Sequence, residues 1–101
     1  MKKIRSLPYG YLIRNGKRVI DENEASVVRR IFREYQEGAS MSEIAVSLTR
    51  AQIPYSENRT EWNKNHIARI IANPRYAGAD NFEPIIDPDV FKNANLAKTC
   101  R

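Results

Sequence analysis

Cysteine is almost missing from this chain of 101 residues, in which Cys100 stands alone. One cysteine forms no internal disulfide, and with no Cys-x-x-Cys pair and a single histidine, His66, no metal site of the zinc type can be assembled. These absences suit a reducing, cytoplasmic setting. Long apolar runs are missing as well. The basic start Met1-Lys2-Lys3 leads into Ile4-Arg5-Ser6 without the apolar stretch of a signal peptide, and nothing later is long enough to span a bilayer, so no membrane partner is expected. A Gly-rich phosphate loop, a general acid and base pair and a Ser/His/Asp constellation are all lacking. Neither catalysis nor a cofactor is therefore expected.

What is present reads as one folded domain. Hydrophobic residues make up 42% and charged residues 29%, which places the chain well away from the low-apolar, high-charge compositions that stay unfolded. A chain of this length buries roughly 60–70% of its unfolded surface, enough for one modest core. The net charge is +5 and the isoelectric point about 9.6, in the range of nucleic-acid-binding domains. The charge is also sorted along the chain. Residues 1–20 carry Lys2, Lys3, Arg5, Arg14, Lys17 and Arg18 with no acid, residues 64–76 carry Lys64, Arg69 and Arg75 with none, and residues 77–91 carry Asp80, Glu83, Asp87 and Asp89 with no base.

The local signals give an α+β, mainly helical fold: a small N-terminal β-hairpin and three to four helices that include a helix-turn-helix-like pair. Asn15-Gly16 between two β-prone runs predicts a hairpin over 11–20, with Leu12, Ile13, Val19 and Ile20 as the apolar material that packs it down. Asp21 and Glu24 form a capping-box pattern before a helix over about 22–37, whose inner face is Val28, Ile31, Phe32 and Tyr35 and whose C-cap is Gly38. Its outer face, with Arg29, Arg30, Arg33, Glu34 and Glu37, reads as solvated surface. Ser40 and Glu43 open a second helix over about 41–51 with Met41, Ile44, Ala45 and Leu48 inward. Residues 52–63 read as a long loop, and connections of that length are often functional. Asn63 caps a third helix over about 64–72, which Asn73-Pro74 ends. Arg75 to Gly78 reads as a short extended segment. Asp87-Pro88 starts a last helix with Val90, Phe91 and Ala94 inward. By segments, the chain divides into a basic arm (1–8), a hairpin (9–20), a helical core (21–75) and a C-terminal segment with a helix (76–101).

The third helix carries the most informative polar face. Asn65, His66, Arg69 and Asn73 are spaced to share its solvent side, beside Lys64, with no acid among them. Arg69 in mid-helix presents a fork of donors that can meet guanine O6 and N7. Lys2, Lys3, Arg5, Lys17 and Arg18 are expected to contact phosphates, with Arg59 and Asn58 in the long loop as weaker members of the same set. His66 is expected to be a polar contact or simply exposed. Trp62, just before the helix, is expected to anchor against the core, the alternative being a DNA-facing aromatic.

Taken together, Pro8-Tyr9-Gly10-Tyr11, Glu24-Ala25, Val28-Arg29-Arg30-Ile31-Phe32 with Tyr35 and Gly38, Ile44-Ala45 with Leu48, Ile53-Pro54, Trp62, Ile67 with Ile70-Ile71, Asn73-Pro74 with Tyr76 and Gly78, and Ile86-Asp87 with Phe91 form an ordered series. That series resembles the recombinase domain of large serine recombinases, the group that includes serine integrases and transposon recombinases. The resemblance implies site-specific recombination in which a neighbouring domain supplies the serine nucleophile while this domain grips double-stranded DNA at an arm of the recombination site. Its implied partners are that catalytic domain and other recombinase protomers, and its implied setting is the cytoplasm of a prokaryote, on DNA of phage or transposon origin. Two departures stand out. None of the chain's serines sits in the arginine-bearing setting of the family nucleophile, and the usual long stretch before Ile85-Ile86-Asp87 is reduced to Ala79–Pro84, with no zinc ribbon after Cys100. The chain is accordingly expected to be an excised piece or a shortened relative. The competing readings are a protein-interaction module using residues 77–91 and the first helix, a small helix-turn-helix regulator, and RNA binding, which lacks an exposed aromatic row.

Overall fold

The structure, a computed structural model, describes residues 8–55 and 59–100, with the side chains of the last helix described as far as Ala97. The basic arm with Lys2, Lys3 and Arg5, and Asn58 of the loop, lie outside the described residues.

Strands β1 (Tyr11–Arg14) and β2 (Lys17–Ile20) pair antiparallel, with Tyr11 opposite Ile20 and Arg14 opposite Lys17. Asn15 and Gly16 both take left-handed φ, 53° and 76°, as the two-residue turn demands. Of the residues expected to pack the hairpin down, Ile20 lies partly buried against the core, but the fully buried residue is Tyr11. Tyr11 is 2% exposed, whereas Ile13, on the same face two residues nearer the tip, is 56% exposed. A strand rises about 3.3 Å per residue, so the hairpin projects beyond the helices after its first pair or two, and only its base is covered.

Helix α1 (Glu22–Gln36) begins where Asp21 accepts hydrogen bonds from the Asn23 and Glu24 amides. The returning half of a capping box would put the Glu24 carboxylate on the Asp21 amide. Here that carboxylate accepts instead from the Gly10 amide at 2.7 Å, while the Asp21 amide donates to the Gly10 carbonyl at 2.9 Å. The cap thereby ties hairpin to helix. Gly10 has φ 108°, a backbone angle that selects glycine, and a Cβ there would also press on Ile85 Cδ1 at 2.9 Å. At the other end the Gly38 amide donates to Tyr35 O and the Ala39 amide to Glu34 O, a Schellman closure with Gly38 at φ 107°.

Helix α2 (Met41–Arg50) opens with the complete Ser40/Glu43 capping box. It closes with the same Schellman bonds as α1, but the left-handed position is Gln52, at φ 55°. Helix α3 (Lys64–Ala72) packs chiefly on α2, and α4 (Pro88–Cys100) lies over α1 and α3. The shared core contains Val28, Ile31 and Phe32 of α1, Ile44 and Leu48 of α2, Ile67 and Ile71 of α3 and Ala94 of α4, each no more than 1% exposed. On the α1 face expected to be plain surface, Arg30 is half-buried. It donates to Glu34 Oε2 at 2.7 Å and to Ser47 Oγ at 2.6 Å, bracing α1 against α2.

Between α3 and α4 the extended segment expected at Arg75–Gly78 is instead a 3-10 turn, Pro74–Ala77, followed by a second one, Ala79–Asn81. Pro74 fixes φ at the first turn position and the Asn73 side chain accepts from the Arg75 amide at 3.0 Å, which together favour a turn over a strand. Tyr76 then lends its carbonyl to the Ile85 and Ile86 amides, closing the segment into a compact loop. The Tyr76 ring stacks on Tyr11 at 5.9 Å, and Phe82 meets Tyr11 edge-on at 4.9 Å. The Tyr11 hydroxyl lies 2.6 Å from Glu83 O and 3.0 Å from Arg75 O. Burial, with the Glu83 carboxylate as a lesser cause, pushes its pKa up to about 12.

Candidate functional site

Helix α3 turns its apolar stripe of Ile67, Ile70 and Ile71 into the core. At 100° per residue the opposite side must then present Asn65, Ala68, Arg69 and Ala72, with Lys64 at one edge and His66 and Asn73 at the other. The exposures follow this wheel: Lys64, Asn65, Arg69 and Ala72 are exposed, and Ala68, His66 and Asn73 are half-buried. Arg69 and Asn65, four apart, therefore stand over a floor of small alanines. That floor lets another surface approach the helix backbone, where the long Arg69 fork and the shorter Asn65 amide can both reach it. The alanines' contribution is invisible to a search for polar residues, although their spacing with Asn65 and Arg69 was there to read.

His66 and Asn73 do not join this outward face as the spacing alone suggested. The Asn63 side chain accepts from the Asn65 and His66 amides, and His66 Nδ1 in return accepts from the Asn63 amide at 3.2 Å. His66 thus takes the place that glutamate holds in an ordinary capping box. A ring whose Nδ1 accepts carries its proton on Nε2. The ring lies 4.2 Å from Tyr55 and 6.0 Å from Trp62, centroid to centroid. Burial first, and the nearby Arg69 charge second, lower its pKa below the ordinary histidine value. Asn73 uses its side chain on the turn that follows α3.

Trp62 anchors the start of α3. It is 6% exposed, its indole N–H donates to Ile53 O at 2.7 Å, and its ring meets Tyr9 and Tyr55 edge-on. Its backbone amide donates to Thr49 Oγ1 of α2 at 2.9 Å. The long loop is therefore fixed to α2 at its far end, and the direction of α3 is set by those bonds.

The hairpin's cations are placed differently. Arg14 and Lys17 are exposed and paired across the strands at the tip. Arg18 lies with its guanidinium 4.1 Å above the centre of the Phe82 ring and donates to Asp80 O at 3.3 Å. Arg75 reaches the same ring at 5.3 Å and bonds Asp80 Oδ2 at 3.0 Å. Part of the basic hairpin is thus joined to the acidic 77–91 segment, a pairing across 62 residues that no local signal announces. Arg59 is exposed, and its carbonyl accepts from the Tyr55 amide across the loop. Among the described residues no group of three His, Cys, Asp or Glu side chains is placed to hold a metal ion, and no helix is long and apolar enough to cross a membrane.

The hairpin, the capped helical unit and the exposed face of α3 define a small α+β domain with a helix-turn-helix-like pair. The chain belongs to the Recombinase family, whose model matches residues 22–100. Among solved structures it is similar to one described as the crystal structure of an LSR–DNA complex, with a TM-score of 0.72 and 20% sequence identity. The match covers 97% of this chain and 33% of that one, so the chain spans about a third of its length. At that identity the likeness shows a shared fold, and it agrees with the mainly helical arrangement read from the sequence.

Proposed function

We propose that this chain is a sequence-specific binder of double-stranded DNA within a serine recombinase, gripping one arm of a recombination site and leaving the cutting chemistry to a catalytic domain elsewhere in that protein. The observation that carries this reading is the outward face of α3, where Asn65 and Arg69 stand exposed above Ala68 and Ala72, with Lys64 beside them and no acid on the helix. The similarity to an LSR–DNA complex supports it. Laid into a major groove, such a face offers a guanidinium fork for guanine O6 and N7, an amide for adenine N6 and N7, and alanine methyls for thymine C5-methyl groups. Lys64 and Lys17 would meet flanking phosphates, with Arg59 and the arm residues Lys2, Lys3 and Arg5 in the same role. Arg18 would contribute more by holding the hairpin on Phe82 than by touching DNA. No residue of the chain is assigned a catalytic role, and its protein partners would be that catalytic domain and other recombinase protomers.

Binding selection from random duplexes tests the reading. A recovered motif with at least one guanine position that relaxes in Arg69→Ala is the expected outcome. A protein that retains no sequence over the starting pool would contradict it.

A further inference from the structure

Beside the outward face of α3, the surface opens into a cleft of about 330 Å³ whose lining includes Tyr9, Tyr55, Trp62, His66, Arg69 and Asn73. Its floor is apolar and aromatic, since Trp62, Ile70 and Tyr76 are all buried. Tyr9 and Tyr55 both meet the Trp62 ring edge-on, at 5.3 and 5.5 Å. The remaining lining groups are nitrogen donors: the guanidinium of Arg69, the Nε2–H left by the capping bond of His66, and the amide of Asn73. None of the lining residues is an acid. This lining combines flat rings that accept a planar group with a cation that accepts an anion, which is the chemistry of a nucleotide. A cation would be repelled by Arg69, and a purely apolar side chain would use neither the Arg69 nor the His66 donor.

We propose that this cleft binds a single unstacked nucleotide, its base among Tyr9, Tyr55 and Trp62 and its phosphate at Arg69. The proposal rests on the nucleic-acid reading given above, because Arg69 belongs to both places: it lines the cleft and stands on the face that would meet the duplex. The aromatics converge on one spot and form no row, so the site holds one nucleotide and does not track a single strand. Its occupant comes either from an unpaired position in the bound DNA or from a free deoxynucleotide.

Trp62 is the sole tryptophan of the chain and forms the cleft floor, so its emission reports occupancy directly. At low salt, the full chain is titrated with an intact duplex, with the same duplex carrying one unpaired thymidine, and with thymidine 5′-monophosphate. The unpaired thymidine is expected to tighten binding about fivefold or more, the smaller end of what one base–aromatic stack contributes, and to quench Trp62. Tyr55→Leu, which keeps apolar bulk on Trp62 but removes a stacking face, should abolish that preference while leaving affinity for the intact duplex within about twofold. Its helical circular dichroism checks the fold, and Tyr55→Phe, which keeps the ring, should retain the preference. Quenching by the mononucleotide without any preference among duplexes would support the cleft and assign it to free nucleotide. Binding of the intact duplex with no preference for the unpaired thymidine and no change in Trp62 emission from any of the three would overturn the inference and leave the proposed function standing. Failure to bind either duplex would remove the proposed function and this inference together.

Discussion

Two basic regions of the molecule, the face of α3 and the hairpin, look alike in the sequence and differ in the fold. On α3, Lys64, Asn65 and Arg69 point outward from a helix that contains no acid, over small alanines. On the hairpin, Arg18 lies across Phe82 and bonds the Asp80 carbonyl, with Arg75 joining from the other side. The first set of donors is available to a partner. In the second, Arg18 is committed to holding the hairpin against the loop after α3, while Arg14 and Lys17 stay exposed at the tip. Counting cations along the chain cannot separate these cases, because the carbonyl that accepts from Arg18 belongs to a residue 62 positions away.

The comparison can be broken at Phe82. Removing that ring with Phe82→Ala takes away a buried side chain against Tyr11 together with the platform for both arginines, and large-to-small changes of this kind cost about 3–5 kcal/mol. Thermal unfolding should show the loss. If the hairpin is held as described, the variant's midpoint should fall much further than that of Arg18→Ala, which forfeits an exposed cation–π contact of about 0.5–1 kcal/mol. On the α3 side, Arg69→Ala should leave the unfolding midpoint nearly unchanged and weaken duplex binding by about 1–3 kcal/mol, the range for one lost bidentate base contact. Affinity titration alongside melting separates the two kinds of loss.

A smaller effect concerns how α3 is held in place. The folded protein lowers the pKa of His66, so between the ordinary histidine value and the folded one the unfolded chain binds more protons than the folded chain. Stability should therefore be full above about pH 6.5, the ordinary value, and decline as the pH falls through the folded pKa. His66→Gln should flatten that decline in pH-dependent melts. The smallest change expected is a gain. Gln52 occupies a left-handed C-cap at φ 55°, so Gln52→Gly should raise stability by up to about 1 kcal/mol without touching either basic region.

What was legible in the sequence was whatever is decided locally. The Asn15-Gly16 turn, the Asp21, Ser40 and Asn63 caps, Gly38, Asn73-Pro74 and Asp87-Pro88 each specify backbone within a few residues, and α1, α2 and α3 begin and end within a residue of the expected bounds. Decisions made across the fold were not legible. Glu24 leaves its own helix cap to hold Gly10, Arg30 reaches from α1 to Ser47, and Tyr11 takes the core position expected of the hairpin's aliphatic residues. The candidate site shows the same division. The spacing of Asn65 and Arg69 was sufficient to put both on the solvent side of α3. Placing His66 inside the cap required knowing that the loop brings Tyr55 and Trp62 against it.

The central claim is that the face of α3, and not Arg18 of the hairpin, meets DNA. It is tested most directly by fluorescence anisotropy titration of a duplex over a range of salt with the parent chain, Arg69→Ala and Arg18→Ala. With about four phosphates contacted, log affinity should fall against log salt with a slope of about −3 to −4. Arg69→Ala should lose roughly five- to 150-fold in affinity, while Arg18→Ala stays close to the parent. A salt-independent affinity, or a loss in Arg18→Ala as large as that in Arg69→Ala, would contradict the account.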